Sequence, residues 1–139
     1  RYRFCSDQSG LPLYEGRMVD LYDYRAKAYV SGRGRSAAWE DMPFGGVKNI
    51  RPQWTVSPSD LSTDELARTR LVRIGLCGVA SPTNQRTLVC CLIPQGTICG
   101  GKVPTLVLGD LDIRAYGLFL GYANSIVLDY LARKKQRSA

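Results

Sequence analysis

The residues with most to offer chemically are basic, and they cluster beside aromatic rings. Arg25, Lys27, Arg33, Arg35, Lys48 and Arg51 share one stretch with only Glu40 and Asp41 against them, and Tyr22, Tyr24, Tyr29, Trp39 and Trp54 lie within or beside it. Arg68, Arg70, Arg73 and Arg86 follow in a stretch from Leu66 that holds no acid, and Arg133, Lys134, Lys135 and Arg137 come near the end. A scattered excess of Lys and Arg merely solubilises a chain. Clustered cations beside flat rings suit a polyanion, whose phosphates meet the charge while the rings offer stacking surfaces or core packing.

Absent residue types narrow the chemistry further. The chain has no His, so Ser-His-Asp and Cys-His devices are unavailable unless a partner supplies the imidazole. Cys5, Cys77, Cys90, Cys91 and Cys99 are odd in number, show no C-x-x-C spacing and lie mostly in apolar runs, which reads as reduced core thiols rather than a zinc site. The Gly-rich, basic segments from Ser31 to Ser36 and from Pro43 to Gly46 read as a mobile surface loop of the kind that carries binding. They lack G-x-x-x-x-G-K-[ST] and a strand-to-helix setting, so a nucleotide cradle is a weak reading.

The chain is 139 residues long, 45% hydrophobic and 22% charged, with a formal net charge of +7. That describes one globular domain with a real core. No apolar stretch approaches the roughly 18 residues that cross a bilayer, and Arg1 to Ser6 lack a signal peptide's apolar run, so a cytoplasmic setting without a membrane partner is expected.

Periodicity supplies the elements that must position these groups. Leu11 to Val19 and Tyr22 to Val30 read as strands around a turn at Asp20. Asp60 to Thr69 reads as a short helix capped by Ser62 or Thr63, with Asp64 and Glu65 suited to the positive pole of the helix dipole. Leu71 to Ala80 and Thr87 to Ile93 read as adjacent buried strands across a polar turn, and Thr105 to Leu108 as a further strand. From Asp112 to Lys134, Tyr116, Phe119, Leu120, Ala123, Ile126, Val127, Tyr130 and Leu131 recur at helical spacing. The basic end of that helix suits the dipole's negative pole about as well as it suits DNA.

Three segments in order carry a resemblance: Leu11-Pro-Leu-Tyr-Glu-Gly-Arg-Met-Val-Asp-Leu-Tyr-Asp-Tyr-Arg25, Arg73-Ile-Gly-Leu-Cys-Gly-Val-Ala-Ser-Pro-Thr-Asn-Gln-Arg-Thr-Leu-Val89 and Leu120-Gly-Tyr-Ala-Asn-Ser-Ile-Val-Leu-Asp-Tyr-Leu-Ala-Arg133. Together they resemble the target-recognition region of large N6-adenine-specific DNA methyltransferases of fused restriction-modification enzymes and DISARM-type phage-defence systems. The resemblance implies an upstream domain that binds S-adenosylmethionine and methylates adenine, with the present region reading the DNA sequence. Tyr24 stands where the family often has His, which argues against a pH-dependent or metal role there and leaves Asp23 and Arg25 as an orienting ion pair. Neither the [Asn/Asp]-Pro-Pro-[Tyr/Phe] motif nor a Gly-rich cofactor loop occurs in this chain, so it is expected to be catalytically silent by itself, part of a longer polypeptide, with S-adenosylmethionine held by the parent enzyme.

The expected fold is α+β: a twisted, mostly antiparallel sheet with one long C-terminal amphipathic helix on a face, where Phe119, Ile126, Val127 and Tyr130 meet the two middle strands. The expected function is sequence-specific binding of double-stranded DNA for an upstream methyltransferase domain. Arg33, Arg35, Lys48 and Arg51 are the expected phosphate anchors, and Arg25, Thr83, Asn84 and Arg86 complete the expected DNA-contacting set. Thr83 and Asn84 equally suit a turn that bonds its own backbone, and Asn124-Ser125 suits a structural role better than a binding one. The alternative function is a non-catalytic protein-interaction module with a basic surface neutralised by an acidic partner.

Overall fold

The computed structural model describes residues 4–5, 9–78, 85–110 and 112–137. The chain is α+β, and its strands pair mostly antiparallel. Among the described residues they form three sheets rather than the single expected one. The first has the order β1 (Phe4–Cys5), β5 (Thr55–Val56), β2 (Leu11–Tyr14), β8 (Ile98–Cys99), with β2 and β8 parallel. The second is the hairpin of β3 (Lys27–Ser31) and β4 (Ala38–Asp41), whose register shifts between Tyr29 and Ser31. The third has β6 (Arg73–Leu76) between β7 (Cys90–Ile93) and β9 (Thr105–Leu106).

The strand expected over Leu11 to Val19 stops at Tyr14, because Gly16–Met18 turn into a 3-10 helix. The next begins only at Lys27: Asp20 and Asp23 close a tight turn, and Tyr22 takes the left-handed region at φ 58°. The helix read around Asp60 is α1 (Thr63–Thr69). It starts with a capping box, in which Ser62 Oγ accepts from Glu65 N–H and Glu65 Oε2 accepts from Ser62 N–H.

The two middle strands pair as expected, Gly75 opposite Cys91. A Cβ at Gly75 would lie 2.5 Å from Ile93 Cγ1 and 2.7 Å from its Cδ1, and Ile93 is fully buried. Gly75→Ala is therefore expected to cost about 1–3 kcal/mol of stability, read as a lowered urea midpoint at unchanged slope.

The long C-terminal helix is in fact two. α2 (Ile113–Ala123) ends at Asn124, and α3 (Ile126–Arg137) begins after Ser125. Asn124 turns inward and brackets β7: its Oδ1 accepts from Cys90 N–H at 3.0 Å and its Nδ2 donates to Cys90 C=O at 2.8 Å. Ser125 Oγ accepts from Leu128 N–H and starts the new helix. The structural role expected for Asn124-Ser125 is the one seen.

The break redirects the helix face. Tyr116, Leu120 and Ala123 pack with Ile74 and Cys90, joined by Phe119 as expected and by Leu128. Ile126, Val127 and Tyr130 do not meet the strands and are 74%, 68% and 57% exposed. Asp129 sets the rotation of α3, because its Oδ1 accepts from Thr87 N–H and Leu88 N–H, both at 2.7 Å, and draws its side of the helix towards the strand. The other core cluster centres on Tyr14, Met18, Val19, Cys91, Ile93 and Val103. Cys90, Cys91 and Cys99 are free thiols, and burial pushes the Cys90 and Cys99 thiols up to about 11, which keeps them protonated. Among the described residues no helix is long and apolar enough to cross a membrane.

Candidate nucleic-acid interface

The β3–β4 hairpin carries two of the exposed expected anchors. Arg33 and Arg35 sit at its tip, both exposed, Arg33 just before and Arg35 within a 3-10 turn over Gly34–Ser36. The tip closes on itself: Tyr29 hydroxyl donates to Gly32 C=O at 2.6 Å and Ser36 Oγ donates to Arg33 C=O at 2.9 Å. Gly32 has φ 83°, and a Cβ there would lie 2.7 Å from Ser36 O, so the turn requires glycine. In the amide orientation that satisfies both partners, Gln53 accepts from Gly34 N–H at 3.1 Å and donates to Glu15 Oε1 at 3.2 Å. This link fastens the hairpin tip to the segment after β2.

That segment lines a groove of about 520 Å³ together with Trp54, Cys77, Gly100, Gly101 and Lys102. Arg17 stands at its edge, with its guanidinium 5.0 Å over the Trp39 ring and its Nε 3.8 Å from Glu15. Trp39 in turn meets Tyr29 edge-on at 5.8 Å. Arg17 and Cys77 also line a second concavity, with Asp20, Lys27, Phe44 and Arg86, so the two hollows share these two residues as a common wall. Burial pushes the Glu15 carboxyl above the usual carboxylate range, opposed by Arg17 and Lys102. Arg17 and Lys102 thus put positive charge on a groove whose lining has one carboxylate, the half-buried Glu15, and Gln53 links that wall to the hairpin tip. Arg17 and Lys102 were not singled out from sequence. Their signals were the Glu-Gly-Arg step at Glu15 to Arg17 and the Gly-Gly-Lys step at Gly100 to Lys102.

The remaining expected contacts fare differently. Arg51 is half exposed and paired with Glu40 across the hairpin, its backbone C=O accepting from Tyr29 N–H. Lys48 is buried against Asp23, which removes it from the surface set. Asp23 holds the Arg25 backbone N–H at 2.9 Å but not its guanidinium, so the expected Asp23–Arg25 ion pair is replaced by Asp23–Lys48. Arg25 is fully buried, 5.6 Å over the Tyr24 ring, and its guanidinium nitrogens find no hydrogen-bond acceptor among the described residues. Burial lowers its pKa, and a group so enclosed has no path to a phosphate. Arg86 donates to Asn124 C=O and faces Asp129, acting as an internal brace. Thr83 and Asn84 lie outside the described residues. Arg73, from the acid-free stretch, donates to the Thr97 C=O and hydroxyl at 2.7 and 2.9 Å.

The described residues hold no group of His, Cys, Asp and Glu suited to a metal ion. Searches against protein-family models, curated proteins and solved structures found no match to this chain.

Proposed function

We propose that the chain is a double-stranded-DNA-binding, sequence-reading domain that serves an N6-adenine methyltransferase of a restriction-modification or phage-defence system. The observation that carries the binding half of this reading is a groove lined by Arg17 and Lys102 whose Glu15 is linked through Gln53 to the hairpin tip that bears the exposed Arg33 and Arg35. Cations on a folded tip can follow a duplex backbone, and the groove's rings and amides offer contacts beyond charge. The methyltransferase half rests on the three-segment resemblance. Gly32 and Gly34 lie between antiparallel strands and not at a strand-to-helix turn, so they do not fit S-adenosylmethionine, which in this reading belongs to the catalytic domain.

A selection from random duplexes tests the proposal: repeated rounds of binding and amplification are expected to enrich a defined short sequence. Recovery of an unenriched pool would reduce the reading to charge alone. Glu15 gives an independent check. Its raised carboxyl gains a proton as pH falls, which removes the groove's wall charge and strengthens phosphate binding. Glu15→Gln is accordingly expected to raise duplex affinity several-fold at pH 7 and to flatten its rise as pH falls, read by fluorescence anisotropy.

A further inference from the structure

We infer that the outer face of α2 and α3 docks an amphipathic helical segment of a partner protein whose apolar stripe is bordered by carboxylates. On α2, Ala115, Leu118, Phe119 and Tyr122 follow helical spacing and, with Leu108, line an apolar hollow of about 530 Å³. Leu118 is 79% exposed, although it shares the helix with buried core residues. Four residues beyond Tyr122, α3 presents Ile126, Val127, Tyr130 and Leu131 to solvent. A run of large apolar side chains on consecutive helices is more than isolated surface hydrophobes and marks an interaction site.

Charge selects the occupant. The acid within α3, Asp129, is buried against the strand, and Lys134 extends its exposed face, with its ammonium 5.2 Å over the Tyr130 ring. Arg114 directly precedes the hollow's Ala115 in the chain and is exposed, with its Nε 3.8 Å from Asp112. A second copy would bring +7 against +7. A carboxylate-edged partner meets the cations instead, and a hollow receives protruding side chains, which a flat lipid surface does not offer. This inference is independent of the DNA reading, because the face lies on elements that contribute nothing to the hairpin groove.

The probe is a synthetic helix of about 18 residues, roughly five turns, with Leu at positions i, i+3, i+4 and i+7 and Glu on its flanks, beside a matched peptide with Lys for Glu. Fluorescence anisotropy is expected to show micromolar binding of the Glu peptide and weakening on the order of tenfold for the Lys peptide. Leu118→Asp with Val127→Asp should abolish binding at an unchanged melting temperature, since both residues are exposed, and should leave duplex binding intact. Lys134→Glu should narrow the preference between the two peptides. Equal binding of both, or of neither, overturns the inference. So does capture by phosphatidylserine vesicles without peptide binding, or a concentration-dependent dimer in sedimentation that Leu118→Asp disperses.

Discussion

Replacing Asp129 by Ala is expected to remove about 3–5 kcal/mol of stability, a large part of the 5–15 kcal/mol that a domain of this kind has. The carboxylate joins four groups: the N–H groups of Thr87 and Leu88, and the guanidiniums of Arg86 and Arg133 at 3.9 and 3.6 Å. Removing it leaves a buried N–H at Thr87 without its acceptor and takes a carboxylate away from Arg86 and Arg133. The same contacts fix a pH dependence. Burial by itself would raise the Asp129 carboxyl, but the N–H groups of Leu88 and Thr87, with Arg86 and Arg133, outweigh it and hold it below the usual range. A carboxyl with a lowered folded-state pKa contributes stability fully above about pH 4, and that contribution fades as pH falls through the folded value. Urea titrations at pH 7, 5 and 3 should show Asp129→Asn less stable at pH 7 and closer to the parent at pH 3. An equal deficit at all three would mean that the charge contributes nothing.

The second large effect concerns the hairpin tip. Arg33→Ala with Arg35→Ala is expected to weaken binding on the order of 50-fold at 0.1 M salt, and to make the dependence of log affinity on log salt shallower by roughly 2. If both guanidiniums hold phosphates, the loss is the same on selected and unrelated duplexes. The folded turn brings a second possibility into reach. A tip pinned by Tyr29, Ser36 and Gln53 can hold a guanidinium in register, and an Arg forked onto guanine would lose on the order of 1–3 kcal/mol of discrimination at one base pair while sparing unrelated DNA. Parallel anisotropy titrations on both duplexes read the two roles separately. The thermal melting of the double variant should match the parent, since both side chains are exposed.

What the sequence disclosed follows from the range of each interaction. The start of α1 was legible because a capping Ser62 and the acids Asp64 and Glu65 sit within one turn of it, and β6 and β7 because apolar runs announce buried strands. The hinge between α2 and α3 was hidden: the helical spacing continues across it, and Asn124 finds its partner in Cys90, 34 positions earlier. β5 and β8, two residues each, are too short for any periodicity. In the site, composition found the basic cluster and its aromatic neighbours but could not sort the cations by burial. Arg25 and Lys48 look like Arg33 and Arg35 in sequence, and only the distant pairing of Lys48 with Asp23 and the closure of the core over Arg25 separate them. Arg17 escaped notice for the opposite reason, since what marks it is a ring 22 positions away, Trp39.

The central claim is that a set of surface cations around the hairpin groove holds duplex DNA. Its most direct measurement is the affinity of the chain for a random duplex pool across a salt series. With about four phosphate contacts, from Arg17, Arg33, Arg35 and Lys102, log affinity should fall against log salt with a slope of roughly −3 to −4, and Arg17→Ala with Lys102→Ala should reduce that slope by about half. A flat salt dependence, no detectable duplex binding, or a steep slope that is unmoved by losing Arg17 and Lys102 would contradict the account.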